Sequence, residues 1–452
     1  MKTPLRSLAL AVLVGAALTL YAQVAAAPFA PPAPVGAAAS RYVPGEVLVK
    51  FKPAAGTQER MAALAAMVAR GHTVVASLNQ PGWTQVKVGA GQTMETALTA
   101  YRNDPNVEYA QPNYLYHATA VPNDTQYGQL WAFKNTGQTV TTGTYGSNPG
   151  TADDDMNIEP AWGHITDCSS VVVAVLDTGV NYTHQDLAAN MWNGSPNHGD
   201  DFVDNDNDPM DLDGHGTHVA GIIGAVGNNG TGTTGVCQEA SIMAVRVLDD
   251  ARDVTTVTAQ RGIRFAVDNG ARVINMSFVG GGPFDPAFSE AITYAQNNDV
   301  VVVVVAGNAL ANNGPNDNDA AADRYPCNFT QPNLVCVAAL DQHYALASFS
   351  NWGASSVDVG APGTNILSAW AGAASYNTID GTSMASPEVA GLAAMLRAYN
   401  PQYTYADTVG AIKNGGRSVP ALAGKTTTGK AVDVMSSLAY INPPTGLAAT
   451  VR

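Results

Sequence analysis

The stretch Val300-Val301-Val302-Val303-Val304-Val305-Ala306-Gly307-Asn308 decides the fold. Six successive valines show no alternation of apolar and polar residues, so the strand they form must be covered on both faces. Similar runs occupy residues 171–176, 241–247, 273–276 and 334–339, with helical segments between them. The pattern predicts an α/β fold, a parallel sheet flanked by helices on each side. In such sheets ligands sit beyond the carboxyl ends of the strands, where the strand order reverses. Reactive residues are therefore to be sought directly after each strand.

Outward from the sheet, the 452-residue chain is 46% hydrophobic, which provides a sizeable core and excludes a disordered chain. Its 44 Gly and 26 Pro lack the period of collagen. The formal net charge of −15 is unevenly placed: residues 1–40, 41–119 and 120–452 carry +2, +2 and −19. An acidic surface repels phosphate backbones, so no nucleic-acid partner is expected. Seven carboxylates, Asp200, Asp201, Asp204, Asp206, Asp208, Asp211 and Asp213, crowd fourteen residues. Their mutual repulsion calls for a cation.

Lys2 and Arg6 precede an apolar run at residues 8–20 and small residues around Ala26. That is the order of a secretory signal, expected over 1–26 with cleavage after Ala26. The apolar run is too short to span a membrane, which takes roughly 20 residues, so a secreted protein, extracellular or periplasmic, is expected. Residues 27–40 read as an Ala/Pro-rich linker. Residues 41–119 read as a small α+β domain of β-α-β-β-α-β pattern, with strands at 47–51, 84–88, 106–110 and 113–116 and helices at 57–70 and 93–101. Residues 120–452 form the large domain.

Four cysteines fit an oxidising compartment and allow three pairings. Cys168 precedes the strand at 171–176 and Cys237 the strand at 241–247. If those strands are parallel neighbours, Cys168 pairs with Cys237, and Cys327 with Cys336. With no Cys-x-x-Cys pair, metal binding by these thiols is not expected.

Asp177 directly follows the strand at 171–176, a place from which a carboxylate can hold an imidazole in one tautomer. His215 lies in Asp213-Gly214-His215-Gly216-Thr217-His218, ahead of a helix of small residues. Ser383 lies in Gly381-Thr382-Ser383-Met384-Ala385, at the head of another apolar helix. A hydroxyl there has backbone N–H groups pointing toward it, which suits an oxyanion. Asn308, after the valine strand, offers a side-chain amide as second donor. Singly these are ordinary capping or turn residues; jointly, in the order Asp, His, Ser, they form the constellation of a nucleophilic hydrolase. His218 has no glutamate base or third ligand nearby and is read as a packing residue.

These motifs resemble those of the subtilisin-like serine peptidases over about 330 residues, from Pro122 to near Leu438. The resemblance implies a subtilisin-like fold and a serine endopeptidase of protein or peptide substrates. Ser383 would be the nucleophile, His215 the base, Asp177 its orienting group, and Asn308 an oxyanion donor; no catalytic metal is implied. The small domain is similar to the family's inhibitory propeptide, an intramolecular inhibitor and folding aid, cleaved near residues 116–120 in self-activation.

The resemblance further implies a substrate-binding edge at Ser277, Phe278, Val279 and Gly280, facing Ala306 and Gly307, where an extended peptide pairs as an added strand. Val279 stands where the family has glycine, so the specificity pocket is expected to be altered. The opposing segment Arg252-Asp253-Val254 lacks the glycines common there. Two structural Ca2+ sites are implied. One comprises Asp124, Asp186 and Asn229 side chains with carbonyls of Val226, Thr231 and Thr233; the other comprises Asp201, Asp204, Asp206 and Asp208 with the Met210 carbonyl. Glu388 replaces a usual histidine, with a packing or surface effect expected. A monomer is expected, with no membrane association once the signal is removed.

Overall fold

The computed structural model describes residues 42–52, 57–78, 82–89, 91–114, 121–140, 149–309, 317–321 and 323–440. The expected signal at 1–26, the linker at 27–40 and the processing segment at 116–120 lie outside the described residues.

The small domain runs β1 (Tyr42–Phe51), α1 (Thr57–Ala69), β2 (Thr73–Ser77), β3 (Trp83–Lys87), α2 (Met94–Arg102) and β4 (Val107–Tyr114). Its sheet has the order β2-β3-β1-β4, with every pair antiparallel. Val47, Val49 and Phe51 alternate onto one face and pack with Met67, Leu98 and Tyr101. The β-α-β-β-α-β order is the pattern expected, but the elements placed from sequence have one strand between the two helices and two after the second, and the structure has the reverse. Strand β2, which the sequence reading does not place, has all five residues exposed, so it carries no burial alternation. The two extended segments expected at 106–110 and 113–116 form the single strand β4.

In the large domain the sheet strands are β5 (Asp167–Asp177), β6 (Gly199–Asp201), β7 (Glu239–Arg246), β8 (Ala271–Met276), β9 (Val301–Val305), β10 (Leu334–Leu340), β11 (Val359–Pro362), β12 (Arg417–Ser418) and β13 (Lys430–Ala431). Their order is β12-β13-β11-β10-β9-β8-β5-β7-β6, and only the β12–β13 pair is antiparallel. The five strands expected from sequence are the consecutive run β10-β9-β8-β5-β7. β5 lies between β7 and β8, so the strand order reverses at its carboxyl end.

The valine run is buried on both sides. Val301 and Val303 enter one core layer, beneath α3 (His215–Gly224) and α6 (Thr382–Tyr399). Val302 and Val304 enter the other, beneath α4 (Thr256–Asp268) and α5 (Pro286–Asn297). Each fully buried valine contributes roughly 1.5–3 kcal/mol, so neither face tolerates a polar residue.

Thr255 caps α4, Asp285 caps α5, and Thr404 caps α7 (Tyr405–Gly415), each through its side chain. Helices α3 and α6 start instead at Gly214 and Gly381, with no side-chain cap of their own. Their first amides are left for other groups. A disulfide joins Cys168, at the start of β5, to Cys237, just ahead of its parallel neighbour β7, and a second joins Cys327 to Cys336. Loop-closure entropy assigns about 4 kcal/mol to the first bridge and about 3 kcal/mol to the short second one.

Candidate active site

Asp177 is the last residue of β5 and fully buried. Its carbonyl accepts from the amides of Val247 and Leu248, which fixes the strand end. Its Oδ1 accepts from Thr178 N at 2.8 Å and lies 2.6 Å from His215 Nδ1. The proton shared on that side leaves His215 Nε2 as the ring's free base position. Burial lowers the His215 pKa, but the Asp177 charge and hydrogen bond more than offset it, so the imidazole titrates above its ordinary 6.5.

Asp211 holds the turn before α3. Its Oδ1 accepts from Thr178 Oγ1 and from the amides of Asp213 and Gly214, and its Oδ2 accepts from Thr217 N and Oγ1. The first amides of α3 are thus satisfied by Asp213, Thr178 and Asp211. Sequence reasoning counted Asp211 only as charge. Its position four residues ahead of His215, with hydroxyls at Thr178 and Thr217, was the signal for a positioning role. Asp213, which accepts from His215 N at 3.0 Å, also pairs with Arg252 at 2.8 Å.

Ser383 is the second residue of α6, and its Oγ donates to the Ser277 carbonyl at 3.2 Å. Ser277 Oγ in turn donates to the Ser383 carbonyl at 3.3 Å, lies 3.1 Å from Ser386 Oγ, and accepts from Asn275 Nδ2 at 2.9 Å. Asn308 Oδ1 accepts from Thr382 N and Oγ1, both at 3.0 Å, which sets the orientation of its amide. Gly381, at φ +155°, explains why no side chain stands here. A Cβ on it would lie 3.5 Å from both Asn308 Nδ2 and Ser383 N. Asn308 Nδ2 and Ser383 N thus both lie close to the glycine, two donors of the kind that can stabilise an oxyanion.

His218 is fully buried, with Nε2 3.1 Å from the carbonyls of Ile366 and Asn377, and burial pushes its pKa down to about 3. It packs, as expected. Glu388 is also fully buried and burial drives its carboxyl well above the usual range, so its effect is internal rather than on the surface.

Asp124 and Asp186 are buried and close enough to repel, and among the described residues neither meets a lysine or arginine. Their oxygens accept from the amides of Asn228, Asn229 and Thr233, from Asn229 Nδ2 and from Tyr376 OH. Two buried carboxylates without a countercharge, wrapped by the loop 226–233 that carries Val226, Thr231 and Thr233, fit a hard divalent cation. The acidic loop is different. Arg246 reaches Asp201 at 2.7 Å and Asp204 at 2.5 Å, while Asp208 accepts from Tyr182 OH and Asn197 and Asp206 from Asp208 N. Among the described residues no three acidic, His or Cys side chains gather as a metal cluster. A cation at this loop would share Asp201 and Asp204 with Arg246.

A parallel sheet that puts a buried Asp–His pair, a serine in the first turn of a helix and two nearby amide donors at its switch point fits a hydrolase of the nucleophilic serine class. Comparison with known proteins makes this specific. The Subtilase family matches residues 169–428 and the Fervidolysin N-terminal prodomain matches residues 29–113. The thermophilic serine proteinase of Bacillus sp. (strain AK1) is 40% identical over 358 residues, 78% of each chain. Thermitase of Thermoactinomyces vulgaris is 44% identical over 236 residues, 52% of this chain and 77% of its own. A solved protease structure from Pseudoalteromonas arctica, 32% identical, aligns with a TM-score of 0.59 over 72% of this chain and 100% of that one. The chain belongs to the subtilase family: it is a subtilisin-like serine protease with a propeptide domain.

Proposed function

We propose that the chain is the precursor of a secreted, calcium-stabilised endopeptidase that works through an Asp177–His215–Ser383 triad and activates itself by cleaving off its propeptide. The observation that carries this is the buried 2.6 Å contact of Asp177 with His215 at the sheet's switch point, beside a serine at an uncapped helix start.

Ser383 turns from the Ser277 carbonyl toward His215 and attacks the scissile carbonyl, while His215 Nε2 takes its proton. Asp177 stabilises the imidazolium. The oxyanion of the tetrahedral intermediate is held by Asn308 Nδ2 and Ser383 N–H, a pair worth about 3–4 kcal/mol per donor lost. His215 then returns the proton to the leaving amine, and water reverses the sequence on the acyl-enzyme.

The remaining assignments follow the same reading. Residues 1–26 direct export, 27–40 link, 41–119 fold as the inhibitory domain, and 120–452 carry the enzyme, which acts as a monomer on proteins and peptides. The likeness to the extracellular protease of Xanthomonas campestris, 35% identical over 371 residues, supports the export reading. Asp124, Asp186 and Asn229, with carbonyls of the 226–233 loop, hold calcium, which supplies the missing countercharge there.

The test is to express the full chain beside Ser383→Ala and to follow self-processing and casein hydrolysis. The wild type is expected to mature and digest casein; the variant is expected to stay unprocessed and inert. A variant that matures and digests like the wild type overturns the assignment.

A further inference from the structure

We propose that Val279 fills the pocket that takes the substrate side chain on the carbonyl side of the cleaved bond, so that the enzyme cuts after small residues such as alanine and excludes aromatic ones. The inference rests on the peptidase reading above and deepens it.

On the reading above the reacting carbonyl oxygen sits near Gly381, where Asn308 Nδ2 and Ser383 N each lie 3.5 Å from the position a Cβ on that glycine would take. The nucleophile meanwhile lies 3.2 Å from the Ser277 carbonyl. The carbonyl is therefore held between Ser277 and Asn308. Those residues leave two neighbouring parallel strands, β8 and β9, paired at Val301 with Val273 and at Val304 with Met276. Beyond the paired ends, Val279 and Gly307 approach each other across the two segments that follow these strands. In the proposal the side chain next to the reacting carbonyl enters between these two segments.

Val279 crosses the gap between them. Phe278 is buried and stacked on Phe288 at 6.5 Å, and Ser277 is buried against the start of α6, whereas Val279 is only half-buried. A Cβ built on Gly307 would stand 3.0 Å from Val279 Cγ1 and 2.9 Å from Asn351 Nδ2. The valine thus rests directly on the opposite wall, and only a glycine at 307, at φ +99°, accommodates it. Val279 is itself half-buried, so it lines open space instead of belonging to the core. A benzyl side chain would have to displace the isopropyl group; a methyl would not.

The experiment measures kcat/KM of the mature enzyme on tetrapeptide p-nitroanilides ending in Ala or Phe, for wild type, Val279→Ala and Val279→Gly. The wild type is expected to favour Ala over Phe at least tenfold. In Val279→Gly the Phe:Ala ratio should rise tenfold or more, within the roughly 10–200-fold that a hydrophobic pocket discriminates, and Val279→Ala should fall between. Labelling of the active serine by a fluorophosphonate is measured alongside. Normal labelling and hydrolysis with a Phe-preferring wild type, or with a ratio that neither substitution moves, overturns the pocket alone. Absence of both labelling and hydrolysis in the wild type overturns the peptidase reading and the pocket with it.

Discussion

Ser277 and Ser383 exchange hydrogen bonds: Ser383 Oγ donates to the Ser277 carbonyl at 3.2 Å, and Ser277 Oγ donates to the Ser383 carbonyl at 3.3 Å. The end of β8 and the first turn of α6 are locked together this way, and the Ser383 hydroxyl is turned toward Ser277. Among the described residues no hydrogen bond joins Ser383 Oγ to His215. Replacing Ser277 by Ala leaves Asn275 Nδ2 without its acceptor in a buried site. The substitution should cost about 1–3 kcal/mol, read by urea unfolding in the Ser383→Ala background so that autolysis does not intervene. An unchanged midpoint would show that the exchange contributes nothing to the fold.

The charge pair beside His215 predicts opposite shifts of the pH profile. Asp177 raises the imidazole pKa, Arg252 lowers it and Asp213 raises it. Since the base must be neutral to act, activity falls as pH drops through that raised value. Arg252→Gln should move the acid limb of kcat/KM to higher pH and Asp213→Asn to lower pH. Arg252 is about half exposed, so both shifts should shrink in 1 M salt. Coincident profiles for all three proteins would exclude the coupling. Asp177→Asn should cut kcat by roughly 10⁴.

Burial pushes the Glu388 carboxyl well above the usual range, and one of its oxygens is buried and unpartnered. Its folded pKa is raised, so its stability contribution is fully present below the unfolded value of about 4.3. That contribution is lost as pH climbs from there toward the folded pKa, by up to about 1.4 kcal/mol per pH unit. Glu388→Gln keeps the shape without the ionisation. In saturating calcium, the variant's stability advantage over the wild type should grow from pH 5 to pH 9; a difference that stays flat with pH would contradict the assignment.

On the proposed reading, calcium at Asp124 and Asp186 would bind the folded state and stabilise it by RT ln(1 + [Ca]/Kd), about 4 kcal/mol at a thousandfold excess over Kd. Excess chelator should therefore lower the melting temperature of Ser383→Ala protein. In Asp186→Asn most of that calcium dependence should vanish. If chelator leaves the melting curve of the parent unmoved, no structural ion is held there.

Much of this protein was legible in the chain itself. A run of six valines demands cover on both faces, and only a parallel sheet between helix layers provides it, so five consecutive strands and their flanking helices followed from composition and spacing. Asp177, His215, Asn308 and Ser383 stood out because each directly follows a strand or opens a helix in a glycine-rich context. Strand β2 was not legible, since an edge strand with every residue exposed carries no alternating pattern.

What only the tertiary structure decided are relations between residues far apart in sequence. Arg246 meets Asp201 and Asp204 because β6 pairs with β7, a register no local pattern encodes. Asp211 organises the start of α3 through Thr178, which arrives from β5. Val279 reads in sequence as a departure from glycine, and it becomes a pocket-filling side chain only when β8 and β9 bring Gly307 against it. Periodicity and capping are properties of neighbouring residues and survive in one dimension; which side chains meet across a slot depends on strand order and register, which exist only once the chain has folded.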